Sequence, residues 1–327
     1  MKEKLTYISN ARIIGILLVV FGHSYPLTGE IPIFFEKLRN FIYCFHMPLF
    51  VFVSGYLVVK ANSVERYGYQ TYLERRFVKL FVPYFGLSIL GYLPKVLVSG
   101  FIKDEVKFSF GYFIKTLLIP REGVWGHFWF IPMLFAMAVA SVIYMKFLRQ
   151  NRKMAIFVCI LSFALIYMPD FTRWLGINDI KDYLFWYLCG LIFADTDIII
   201  NHSSLKRAMV CLLSGCVAFV VFDMKAYNAI VAMFMVLGIL MICTHIDLGK
   251  IKILRIIGNY SFSIFLLSWP AQAVIEVLGN RISNLPFLVN MCMMSLTGIS
   301  IPLIIVYVFG KLRGIPHIKR IELLVGM

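Results

Sequence analysis

Charge is scarce in this sequence, and acidic charge is scarcest. Only 15% of its 327 residues are Asp, Glu, Lys or Arg, with 17 acidic residues against 32 basic ones, while 61% are hydrophobic. So apolar a composition excludes a soluble globular domain. No polar or Gly/Ser/Pro-rich tract is long enough to be a linker, so residues 1–327 read as a single domain. The seven cysteines form no CxxC pair and sit in or near apolar runs, which points to packing rather than zinc or disulfide chemistry, and no metal site is expected. There is no G-x-S-x-G elbow, Walker loop, HExxH pair or dinucleotide fingerprint. A basic start followed by an apolar run imitates a secretory signal, yet no small-residue cleavage site follows, so this run is expected to stay as the first span.

What is present is a succession of apolar segments of membrane-spanning length. They predict an all-α polytopic membrane protein of about ten transmembrane helices, near 8–27, 41–60, 78–99, 126–147, 154–169, 183–200, 208–223, 228–245, 257–279 and 286–310. The net charge of +15 gathers at the ends of these segments rather than along a soluble face with interleaved aromatics, so nucleic acid is not an expected partner and membrane lipids are. Placing Arg66/Arg75/Arg76/Lys79, Lys146/Arg149/Arg152/Lys153, Lys206/Arg207, Lys250/Lys252/Arg255 and Lys311/Arg313/Lys319/Arg320 inside puts both termini in the cytoplasm of an inner (plasma) membrane protein.

Arg12 and His23 bracket the first apolar helix. Eleven residues at 100° and 1.5 Å each return the side chains to within about 20° of one face, about 16 Å apart. Ionisable groups at such depths are costly, and they usually face a protein interior or an aqueous cavity. His23 suits proton transfer near neutral pH and the planar fork of Arg12 suits phosphate or carboxylate, against the alternative of a structural pair tying helices together. In the second span, Phe45-His46-Met47-Pro48-Leu49-Phe50 leads to Ser54-Gly55-Tyr56; His46 reads either as a satisfied core histidine or as a cavity-lining one beside the backbone groups that Pro48 frees. Arg75, Arg76 and Lys79 recur at helical spacing, where they fit either anionic phosphates or lipid headgroups and topology alone. His127 and Trp129 open the fourth span, either as a sugar platform or as membrane-belt aromatics. The segments Gly100 to Trp125 and Pro169 to Asp182 are the longest expected outside, and Lys103, Lys107, Lys115 and Arg121 leave room there for an acidic polymer. His202, His245 and His317 read as solvated.

In these residues the chain resembles the acyltransferase-3 family of integral membrane acyltransferases. The likeness runs over essentially the full length and rests on Arg12-x10-His23, Phe45-His46-Met47-Pro48-Leu49-Phe50 with Ser54-Gly55-Tyr56, Arg75-Arg76-x2-Lys79-Leu80 with Pro83-Tyr84, and His127-x-Trp129-Phe130-x-Pro132. Fucose 4-O-acetylase-like and exopolysaccharide-modifying members look most similar. The resemblance implies acyl transfer, commonly of acetyl from acetyl-CoA, to a hydroxyl of a surface or lipid-linked glycan, with no tightly bound cofactor. His23 is then the candidate general base with Arg12 beside it as a catalytic residue; Arg75, Arg76 and Lys79 would hold the acyl-CoA donor; and His46, His127 and Trp129 would meet the glycan acceptor. Two departures stand out. Tyr7-Ile8-Ser9-Asn10-Ala11 offers no acidic residue ahead of Arg12, and Leu266-Leu267-Ser268-Trp269-Pro270 has Ser268 where many relatives carry a histidine. The competing expectation is a glycan or lipid exporter without transferase activity.

Overall fold

The computed structural model describes residues 3–26, 31–97, 108–221, 229–278, 286–312 and 322–327. Lys103, Lys107, Arg313, His317, Lys319 and Arg320 lie outside these described residues. Among the described residues there are helices and no strand, as an apolar membrane chain requires, because only a helix satisfies its backbone within its own segment. The elements are α1 (Glu3–Gly22), α2 (Ile33–Lys60), α3 (Ser63–Tyr67), α4 (Tyr69–Leu97), α5 (Phe110–Leu118), α6 (Phe130–Ile143), α7 (Arg152–Leu165), α8 (Ile177–Thr196), α9 (Ile198–His202), α10 (Leu205–Val221), α11 (Ala229–Cys243), α12 (Lys252–Asn259), α13 (Ser261–Leu278) and α14 (Phe287–Lys311).

Each of the ten expected segments contains a helix. Among the described residues, four are long and apolar enough to cross a bilayer, α2, α4, the Gly126–Leu148 segment and α14. At 28 and 29 residues, α2 and α4 are about 42 Å long, well beyond a hydrocarbon core of about 30 Å. Both begin earlier than the hydropathy boundary suggests. The start of α4 at Tyr69 rather than near 78 puts Arg75, Arg76 and Lys79 on the helix itself.

The bundle is inside out relative to a soluble protein only on its periphery. Ile160 and Leu161 of α7, Leu213 and Val217 of α10, and Leu296 and Ile304 of α14 face outward, giving the apolar perimeter that lipid demands. In the centre, Ile8, Ala11, Ile13, Ile16 and Val20 of α1 are all buried. This helix packs against α2, α11, α12 and α13.

The closest helix crossing explains one of the sequence motifs. A Cβ on Gly55 of α2 would run into the Tyr187 carbonyl of α8, and one on Gly190 of α8 would run into the Phe52 carbonyl of α2. The two backbones meet there because both residues are glycine, the way membrane helices gain contact without a hydrophobic driving force. Ser54-Gly55-Tyr56 is therefore a packing motif.

Candidate functional site

The helical ladder of α1 carries on to His23, whose backbone N–H donates to the Val19 carbonyl at 3.1 Å. Arg12 and His23 thus sit at two ends of one continuous helical rod, and each end has gathered a different company.

At the His23 end three imidazoles come together through two aromatic rings. His23 stacks on Trp269 of α13 with ring centres 5.6 Å apart and planes 18° from parallel, and His127 lies 4.9 Å from the same indole. Tyr43 of α2 stands 5.8 Å from His23 and 5.1 Å from His46. Both His46 and His127 are within electrostatic reach of His23. Gly126 makes room for this arrangement, since a Cβ there would stand 3.2 Å from the Trp269 ring.

Hydrogen bonds then fix the rings. His46 Nδ1 lies 2.8 Å from the Ile42 carbonyl, which can only accept, so Nδ1 carries the hydrogen and Nε2 keeps its lone pair. Gln272, fully buried on α13, donates from Nε2 to the Val20 carbonyl and to Ser24 Oγ, both at 2.9 Å. That pins α13, and Trp269 with it, to the end of α1. His127 is also buried, and neither of its ring nitrogens forms a well-made hydrogen bond, although the backbone of Phe265 and Leu266 lies alongside.

At the other end lie the cations. Lys79 is within electrostatic reach of both Arg76 and Arg12. Arg76 sits 5.3 Å from the face of Tyr72, and Arg75 turns away to stack on Tyr67 at 4.1 Å. Among the described residues, none of Arg12, Arg75, Arg76 and Lys79 has a carboxylate partner, and Arg12 Nε is buried with no hydrogen bond. Asn10, one of the two polar residues preceding Arg12, is taken up elsewhere. It donates to the carbonyls of Cys243 and Ile246 at 3.0 and 2.7 Å and accepts from the Leu248 N–H at 3.1 Å, capping the end of α11.

Trp129 does not join His127. It stacks on Tyr183 at 5.3 Å, and the Arg121 guanidinium lies 4.2 Å over its ring while donating to Asp179 from Nε at 2.8 Å and from Nη2 at 2.5 Å. Nearby, outside the spans, the hydrogen bond from Lys115 and a second one from Arg173 hold the Glu122 carboxyl below its ordinary value. The two residues of the His127-x-Trp129 motif therefore belong to separate clusters.

The residues that reading the sequence passed over are Tyr43, Trp269 and Gln272. Tyr43 had a signal: it precedes His46 by three, on the same helix face. Trp269 is immediately next to Ser268, the position at which the resemblance puts a histidine in many relatives, and it is this indole that touches two of the three imidazoles.

Residues 5–307 match the family model described as an acyltransferase domain. The chain belongs to the acyltransferase-3 family. The four long apolar helices among the described residues and the apolar perimeter agree with that membership. A relative to which the chain is similar is the nodulation protein NolL of Sinorhizobium fredii, 26% identical over 232 residues, 66% of the present chain. The match spans 57% of that relative's length. No solved structure matches the chain.

Proposed function

We propose that this acyltransferase moves an acetyl group from acetyl-CoA to a hydroxyl of a surface or lipid-linked glycan, with His23 as general base. The observation that carries the reading is the division of α1 into an imidazole end and a cation end on one helix. The donor is a polyanion and its thioester is neutral. Arg12, Arg76 and Lys79, with Arg75 on the same helix, supply charge for the phosphates, and the distance of about 16 Å to His23 is of the order a pantetheine arm spans. His23 takes the hydroxyl proton as the acceptor oxygen attacks the thioester carbonyl. A C–O bond forms, the C–S bond breaks, and the proton returns to the departing thiolate, leaving an ester and free CoA. His46 Nε2 and the unpartnered His127 meet neighbouring hydroxyls of the acceptor. In the orientation that places basic ends inside, the donor enters from the cytoplasm, both termini lie there, and the glycan meets the outer half of an inner membrane.

The test is purified protein in liposomes with acetyl-CoA labelled in the acetyl group and a set of sugar acceptors. The expected result is label on the acceptor in an alkali-labile ester, with stoichiometric free thiol. Movement of the glycan across the bilayer without incorporation of label would instead make the protein an exporter and end this reading.

A further inference from the structure

Tyr43 touches the end of α1 in a way that has consequences for His23. Its ring lies against Gly22, where a Cβ would stand 3.0 Å from Cε1, so a glycine immediately before His23 is what admits it. The phenol oxygen then sits 3.0 Å from the Gly22 carbonyl and 3.4 Å from His23 Nδ1. A carbonyl oxygen only accepts, and a phenol has a single hydrogen. The shorter contact takes that hydrogen, so the phenol presents a lone pair to Nδ1. A lone pair can face Nδ1 favourably only if Nδ1 carries a hydrogen, which leaves the free lone pair on Nε2.

We propose that Tyr43 is the positioning residue of His23, holding the imidazole in its Nδ1–H tautomer so that Nε2 is the basic nitrogen. Resting on the role of His23 as base, this inference names the group that orients it. Trp269 stacked on one face restrains the ring plane, and the phenol oxygen selects the tautomer. When Nε2 takes the hydroxyl proton, the Nδ1–H donor becomes part of an imidazolium and its bond to the phenol oxygen strengthens, which favours the charged state formed during transfer. His46 obtains the same tautomer from the Ile42 carbonyl, so the two rings on either side of Tyr43 are set alike by different acceptors.

The experiment is ¹⁵N NMR of histidine-labelled protein in nanodiscs, with the His23 signals assigned by their loss in His23→Gln, together with steady-state transfer assays of wild type and Tyr43→Phe. Wild type is expected to show His23 protonated at Nδ1 and bare at Nε2. Tyr43→Phe, which keeps the ring and removes the oxygen, is expected to shift His23 toward the other tautomer and to lower kcat roughly ten- to a hundredfold, the size of loss typical when the group orienting a working imidazole is removed. The donor KM should stay within about twofold, because the cation end is untouched. An Nε2–H tautomer in wild type overturns the proposal, and so does a Tyr43→Phe protein with unchanged tautomer and turnover. If Tyr43→Phe fails to insert, the wild-type spectrum still decides. Full turnover in His23→Gln would end the general-base reading, while the tautomer measurement would continue to test the contact with Tyr43.

Discussion

Two groups of cations among the described residues differ in their company. Lys60 meets Asp197 at 2.6 Å, Arg149 bridges Asp195 and Glu65, Arg121 grips Asp179, and Lys181 sits between Asp170 and Asp182. These pairs lie between helices or at helix ends and hold segments together. Around Arg12 the pattern reverses, and no carboxylate reaches Arg12, Arg75, Arg76 or Lys79 among the described residues. In a chain with 17 acidic residues, the carboxylates that form ion pairs serve cations at helix ends and between helices, and the proposed reading assigns the group around Arg12 to an anion from outside. The imidazole end shows a third arrangement: rings packed among a backbone carbonyl, a phenol and an indole. On the proposed reading, proton transfer and anion binding make opposite demands on their surroundings, and α1 would keep them about 16 Å apart.

The sharpest way to break this comparison is His23→Ala. A general base contributes typically 10²–10⁴-fold, so transfer should fall by about that factor while binding of CoA, measured on the same detergent-purified protein, stays as it was. A variant that loses CoA binding and keeps turnover would place the donor at the wrong end of α1.

The converse substitution works on the other pole. Neutralising Arg75 and Arg76 together as Gln should weaken CoA binding by roughly one to two orders of magnitude, the value of a charge-assisted contact or two, and leave the acceptor KM unchanged. Because Arg75 lies on Tyr67 while Arg76 is in reach of Lys79, Arg76→Gln alone should account for most of the loss. Equal effects of the two single variants, or none from the pair, would return the cluster to a role in topology.

Why some of this was legible from residue order and some was not follows from the range of each interaction. Helix positions follow from apolar length, and the shared face of Arg12 and His23 follows from helical periodicity, both local properties. Trp269 and Gln272 act on His23 and its neighbours only after α13 docks on α1, and no local pattern marks a contact made across more than two hundred residues; Tyr43, twenty residues from His23, reaches it only once α2 has packed on α1. Gly22 and Gly55 were visible as glycines, but what each accommodates, a phenol ring in one case and a facing helix in the other, needed the packed bundle. His127 and Trp129 were read as one pair because they are two residues apart; that spacing falls within a tight turn, Gly126–Trp129, whose side chains point to different neighbours.

A finer test concerns the shape of the charge at Arg12. Its Nε is buried and unpartnered, so a planar fork that meets two oxygens at once is available there in a way a lysine cannot copy. Arg12→Lys should therefore retain the charge and still lose about tenfold in donor affinity. Wild-type affinity in the lysine variant would show that a point charge suffices.

The smallest effect is expected at Trp129, and it is small for a reason the comparison supplies. Trp129 is the ring beneath a paired cation, Arg121, and so belongs with the structural population rather than with the imidazoles. Trp129→Phe keeps an aromatic face against Tyr183 and gives up part of the cation–π contact, worth about 0.5–1 kcal/mol at an exposed site. Thermal stability in detergent should drop slightly, and turnover and acceptor KM should stay within about twofold of wild type. A rise of tenfold or more in acceptor KM would show that the sugar reaches Trp129 after all, and that the acceptor spans both clusters instead of resting among the three histidines.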